Sequence, residues 1–167
     1  QATMKDKITA EVSLRIRFIL GKAYLIQGKF QDAMPHLEIV TERIPGLMMA
    51  QYCYGLAQAG LGKFESAIAA YQRALALDPH HVPSLLNLAI AYFKNDMLDE
   101  AQQTAQQALA VMPDHAEVID LYGMILMQKG QFEDAAAQFQ QAEQAGQQAK
   151  LPEKFFQQVR LHKAILF

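Results

Sequence analysis

Four times in this chain the same pattern returns after 34 residues, and that period constrains the fold more than any other feature. Ala33, Ala67, Ala101 and Ala135 share one column. Gly21, Gly55 and Gly123 share a second, where Ala89 is the small substitute. Pro45, Pro79 and Pro113 share a third, which Gln147 breaks. A fixed period of this length marks an array of similar units, each burying one face on its neighbours.

The second unit, 48–81, shows how one unit is built. Residues from Met48 to Leu61 carry no proline and read as a helix. Gly62 suits the left-handed residue that ends a helix, because it lacks a Cβ. Gly28 and Gly130 take that place in units one and four, and Asp96 takes it in unit three. A second helix follows from Phe64, with Ala67, Tyr71, Ala74 and Leu77 in one apolar stripe. Asp78-Pro79 stops it, since proline cannot continue a helix and restricts the residue before it. Gly55 and Ala67 are small where the two helices of a pair cross. Leu37, Tyr71 and Phe139 fill the remaining space, and Ala105 is the small member of their column. The spacing predicts helices near 14–27, 30–44, 48–61, 64–77, 82–95, 98–112, 116–129, 132–146 and 152–165, with no strand. Met4, Ile8 and Val12 recur every four residues and predict either a backward extension of the first helix or a short separate one.

Bulk properties remove several classes of function. About half of the 167 residues are apolar, which is ample for a core. A net charge of −2 gives no footing for nucleic acid. Cys53 is the single cysteine, so an intrachain disulfide is excluded. No apolar run reaches the roughly 18 residues of a membrane span. The expected location is cytoplasmic, or periplasmic if the N-terminus is processed. The first residue is Gln1 and the last four are Ala164 to Phe167, which leads us to expect a fragment of a longer protein. Charge is uneven: residues 14–47 carry +2, 82–115 carry −3, 116–149 carry −4 and 150–167 carry +3. Some of this is helix chemistry: Asp32, Glu65, Asp99-Glu100 and Glu133-Asp134 fall in the first turn of a second helix, where the dipole favours negative charge.

The motifs resemble the tetratricopeptide repeat. The likeness spans residues 14–149, as repeats 14–47, 48–81, 82–115 and 116–149, with a C-terminal capping helix in 150–167. It rests on Leu20-Gly21 with Tyr24, on Gly28–Phe30, Gly62–Phe64 and Gly130–Phe132, and on the alanine and proline columns. Gln51, Gln58 and Gln147 depart from it. The resemblance implies one domain, an all-α right-handed superhelix of four helix pairs, whose first helices line a concave groove that binds peptides or helices of other proteins. In that register Phe18, Tyr52, Leu86 and Asp120 form one groove row. Lys22, Leu56, Ile90 and Met124 form a second, and Leu25, Ala59, Phe93 and Met127 a third. Phe18, Tyr52, Leu56, Leu86, Ile90, Phe93, Met124 and Met127 are expected to take a partner's apolar side chains, with Lys22, Asn87 and Asp120 orienting it. A carboxylate clamp, known in one subclass, is not expected, because only Lys22 and Asn87 match it and Pro83 stands where a basic residue is needed.

Chemistry finds little support. His80-His81 is an adjacent pair in a turn without a third ligand at helical spacing, so a polar turn is expected and no metal. Cys53 has no fixed base near it in sequence and reads as packing. The glycines are dispersed by the period and make no phosphate cradle. Gln102-Gln103, Gln106-Gln107 and Gln140-Gln141 read as a solvated outer face. No enzyme and no cofactor are expected. The expected function is a non-catalytic interaction module. The alternatives are a regulatory or targeting segment of a larger multidomain enzyme, or a self-assembling scaffold, including a homo-oligomer.

Overall fold

The structure is a computed structural model and describes residues 3–166. Among these the chain forms nine helices and no strand: α1 Met4–Ile26, α2 Phe30–Arg43, α3 Met48–Gly60, α4 Phe64–Leu77, α5 Val82–Lys94, α6 Leu98–Val111, α7 Ala116–Gln128, α8 Phe132–Gln148 and α9 Glu153–Ile165. The chain divides into two compact units, the first ending at Pro79 and the second starting at His80.

In the first unit α1 packs on α2, α2 on α3 and α3 on α4. The column glycines explain how closely each pair approaches. A Cβ on Gly21 would lie 2.7 Å from Leu37, and one on Gly55 would lie 2.5 Å from the Tyr71 ring. Tyr71, Leu37 and the alanines Ala33, Ala67 and Ala74 are fully buried. The turns after α1 and α3 use Gly28 and Gly62 at φ +70° and +74°, as the sequence predicts. Met4, Ile8 and Val12 extend α1 backwards rather than forming a helix of their own.

In the second unit α5 packs on α6, α6 on α7, α7 on α8 and α8 on α9. His81 opens α5: its side chain accepts from the Ser84 amide at 3.3 Å, and its Nδ1 lies 2.7 Å from Ser84 Oγ. The polar-turn reading of His81 thus gains a specific task, a helix cap. Asp96 ends the α5 region at φ +59°, the left-handed position expected of it. The end of α8 departs from expectation. Gly146 does not stop the helix; a Cβ there would lie 2.6 Å from the Phe155 ring, so its smallness admits α9. Helix α8 runs on to Gln148, and Lys150 at φ +53° makes the left-handed turn. Val159 of α9 is fully buried in a cluster with Phe139, Ala142 and Ala145.

Candidate partner-binding surface

The first-helix rows lie in both units, and each unit presents its own part. In the first unit Phe18, Tyr52 and Leu56 are half-buried and Lys22 is exposed. Phe18 and Tyr52 rest on a cluster of Ala33, Leu37, Cys53 and Ala57. The Lys22 ammonium sits 5.5 Å from the centre of the Phe18 ring, a cation–π contact that holds a charge over an apolar patch. Tyr52 lies 6.1 Å from Tyr71, ring centre to ring centre. Burial raises the Tyr52 phenol above its ordinary value, with a smaller contribution from Cys53. Burial pushes the Cys53 thiol up to about 11, against a small opposing pull from Lys22. A thiol held there is protonated at neutral pH and a poor nucleophile.

In the second unit Leu86, Ile90 and Phe93 on α5 and Met124 and Met127 on α7 are half-buried. Helices α5 and α7 touch. Met124 and Met127 also pack on the cluster that contains Phe139 and Val159.

Two of the three polar orienting residues are engaged within the chain. Asp120 is 4% exposed, and its carboxylate lies 2.9 Å from His162 Nδ1 on α9. It therefore does not stand open toward a partner. The physical reason is α9, which docks His162 against it; the 34-residue register alone gives no sign of that contact, because α9 lies outside the repeats. Asn87 donates from Nδ2 to the Pro83 carbonyl at 2.8 Å, folding back on its own first turn. Lys22 remains the exposed member of the three.

The glutamines also do more than solvate an outer face. Gln102 and Gln106 on α6 donate to the Tyr122 hydroxyl on α7 at 3.4 and 3.0 Å. Lys129 reaches Asp99 at 2.7 Å, and Gln128 reaches Asp96 at 3.1 Å. These polar contacts tie the end of α7 to the start of α6 and the turn before it. Gln103, Gln107, Gln140 and Gln141 stay exposed. Among the described residues no cluster of three histidine, cysteine or acidic side chains has metal-holding geometry, and no helix is long and apolar enough to cross a membrane.

Two family profiles described as tetratricopeptide repeat match the chain, over residues 18–82 and 58–125. The chain belongs to the tetratricopeptide-repeat family. The Caenorhabditis elegans tetratricopeptide repeat-containing protein trd-1 is 26% identical over 133 residues, which cover 80% of this chain but 17% of that protein. The chain thus spans under a fifth of that relative's length. The crystal structure of MamA superposes with a TM-score of 0.79 at 22% identity, covering 87% of this chain and 86% of that one. The first tetratricopeptide domain of Spaghetti (RPAP3), bound to an HSP90 peptide, superposes with a TM-score of 0.68 at 20% identity, covering 71% and 94%. At these identities the structures establish the fold. It is the class expected from the sequence, an all-α tetratricopeptide-repeat superhelix, a fold of protein–protein interaction scaffolds.

Proposed function

We propose that this protein is a non-catalytic interaction module that binds an apolar peptide or amphipathic helix on its first-helix rows. Repeats 14–47, 48–81, 82–115 and 116–149 are the binding units of this proposal. The observation that carries it is the incomplete burial of Leu86, Ile90 and Phe93 on α5 and of Met124 and Met127 on α7, two helices that touch. Half-buried apolar side chains in one contiguous strip gain from losing their remaining water to a partner. Methionine adapts its shape to different side chains. In the first unit Phe18, Tyr52 and Leu56 would act alike, with Lys22 selecting a partner that carries an acidic group near its apolar residues. The peptide-bound neighbour supports a peptide as the kind of partner. Asp120 and Asn87 act in this reading as supports for the surface, through their bonds to His162 and Pro83.

The double change Leu86→Glu with Phe93→Glu tests it. Capture of the natural partner should fall at least about a hundredfold, since two apolar contacts are replaced by unpaired charges. Helical content should stay, because both side chains are partly open. Undiminished capture with an intact fold would overturn the proposal. A loss of stability or a drop in solution mass would instead show that the strip is covered by the chain itself or by a second copy.

A further inference from the structure

The backward run of α1 builds a trough that the other first helices lack. Leu47, His81 and His115 stand at the N-caps of α3, α5 and α7. The same column in α1 is Ser13, and the helix continues back through it to Met4. Ala10 and Ser13 therefore wall a groove of about 380 Å³ beside the end of α2, completed by Leu14, Arg17, Ile39 and Arg43. The repeat does not ask for charge at these places. The column of Arg17 holds Gln51, Leu85 and Ile119, all buried, and that of Arg43 holds Leu77, Val111 and Ala145. Arg43 suits the dipole in the last turn of α2, but Arg17 lies mid-helix and has no such role. Among the described residues no acidic side chain lines the groove, and neither guanidinium has an ion pair or hydrogen bond. Two arginines beside Leu14 and Ile39 make a seat for an apolar side chain with acids next to it.

Each second helix opens on an apolar residue followed by acids, and one of the four openings stands free. Phe30, Phe64 and Leu98 are half-buried. The Phe30 ring covers Gly60 at the end of α3, where a Cβ would lie 2.4 Å from it. Asp99, beside Leu98, is held by Lys129. Phe132 is 58% exposed, and Glu133 and Asp134 are exposed beside it on the same crevice. Their place suits the α8 dipole and leaves their oxygens open, since neither has an ion pair among the described residues. We propose that Phe132, Glu133 and Asp134 of one copy of the chain seat in the α1–α2 groove of a second copy. The ring lies against Leu14 and Ile39, and the two carboxylates take Arg17 and Arg43. Two charges meet two opposite charges around one apolar contact, which fixes the register of the pair. The contact is heterologous, because each copy offers a different surface to each neighbour. It uses neither first-helix row, so it stands apart from the binding proposed above.

Sedimentation of the full chain over a range of concentrations tests this by exchanging the charges. The average mass should rise above that of one chain as concentration increases. Arg17→Glu with Arg43→Glu should hold the chain monomeric, and so should Glu133→Lys with Asp134→Lys. An equimolar mixture of the two variants should associate again, because each then meets opposite charge at both contacts. Phe132→Ala should weaken association at least about tenfold, and so should raising salt from roughly 50 to 500 mM. Thermal melts confirm that each variant is folded. If Arg17→Glu, at a half-buried position, unfolds the chain, Arg43→Glu alone replaces that pair, at an exposed one. A parent chain that stays monomeric to about 1 mM overturns the proposal. So does a charge variant that associates as the parent does, or a mixture of folded variants that stays monomeric. An assembly dissolved by Leu86→Glu with Phe93→Glu also overturns it, because the first-helix rows would then be the interface between copies.

Discussion

At the residue scale the molecule is organised by pairs of sizes. In three repeats the column glycine faces a bulky side chain, as Gly21 with Leu37, Gly55 with Tyr71 and Gly123 with Phe139. In the third repeat Ala89 and Ala105 share the space instead, and both are fully buried. These columns were legible in the sequence, because a crossing between helices tolerates only certain sums of volume and the period repeats them. Ala101 is one such crossing. Ala101→Asp should cost several kcal/mol by burying an unpaired charge, on the order of 3–5. Gln103→Ala, on an exposed position, should stay within about 0.5 kcal/mol. Thermal melts of the two variants compare them, and matching melts would misplace the faces of α6. The Asp120–His162 pair was not legible, since its members lie 42 residues apart and outside a common register. His162→Ala leaves a buried carboxylate oxygen without that partner. A loss of about 1–3 kcal/mol is expected, read by denaturant unfolding. An unchanged midpoint would mean that Asp120 finds water or another donor.

At the element scale the helices end where the sequence says when a local signal is decisive. Proline after α4 and α6, and left-handed glycine after α1, α3 and α7, set the boundaries within a residue or two. Where the signal is ambiguous, tertiary packing decides. Gly146 reads as a stop, yet the Phe155 ring needs its missing Cβ, and α8 continues past it. Met4, Ile8 and Val12 leave open an extension or a separate helix, because no breaker lies between Val12 and Leu14 to separate them. The sequence leads us to expect α9 as a capping helix, and its anchor is Val159, with Phe155 against Gly146. Val159→Asp should release α9 and lower stability by about 3 kcal/mol or more. Hydrogen exchange should then show α9 losing protection before α7. Unchanged protection across residues 153–165 would place the anchor elsewhere.

At the scale of the whole molecule, family and fold follow from the repeat, whereas the partner does not. The period dictates which faces are spent on packing. It leaves Lys22 exposed and Phe18, Tyr52, Leu56, Leu86, Ile90, Phe93, Met124 and Met127 half-buried, and the packing of the repeats does not dictate what meets their open sides. In the proposed mode, recognition rests on apolar burial. Capture of the natural partner should therefore change little, within about threefold, between roughly 50 and 500 mM salt. A loss of several decades over that range would point to charge recognition through the acidic stretch 82–149. The most direct measurement places a photo-crosslinking residue at position 90, in the apolar strip, and in a separate preparation at position 107, on the exposed face of α6. Irradiation with the natural partner present should attach it at position 90 and leave position 107 bare. Attachment at position 107 with none at position 90 would contradict the assignment of binding to the first-helix rows.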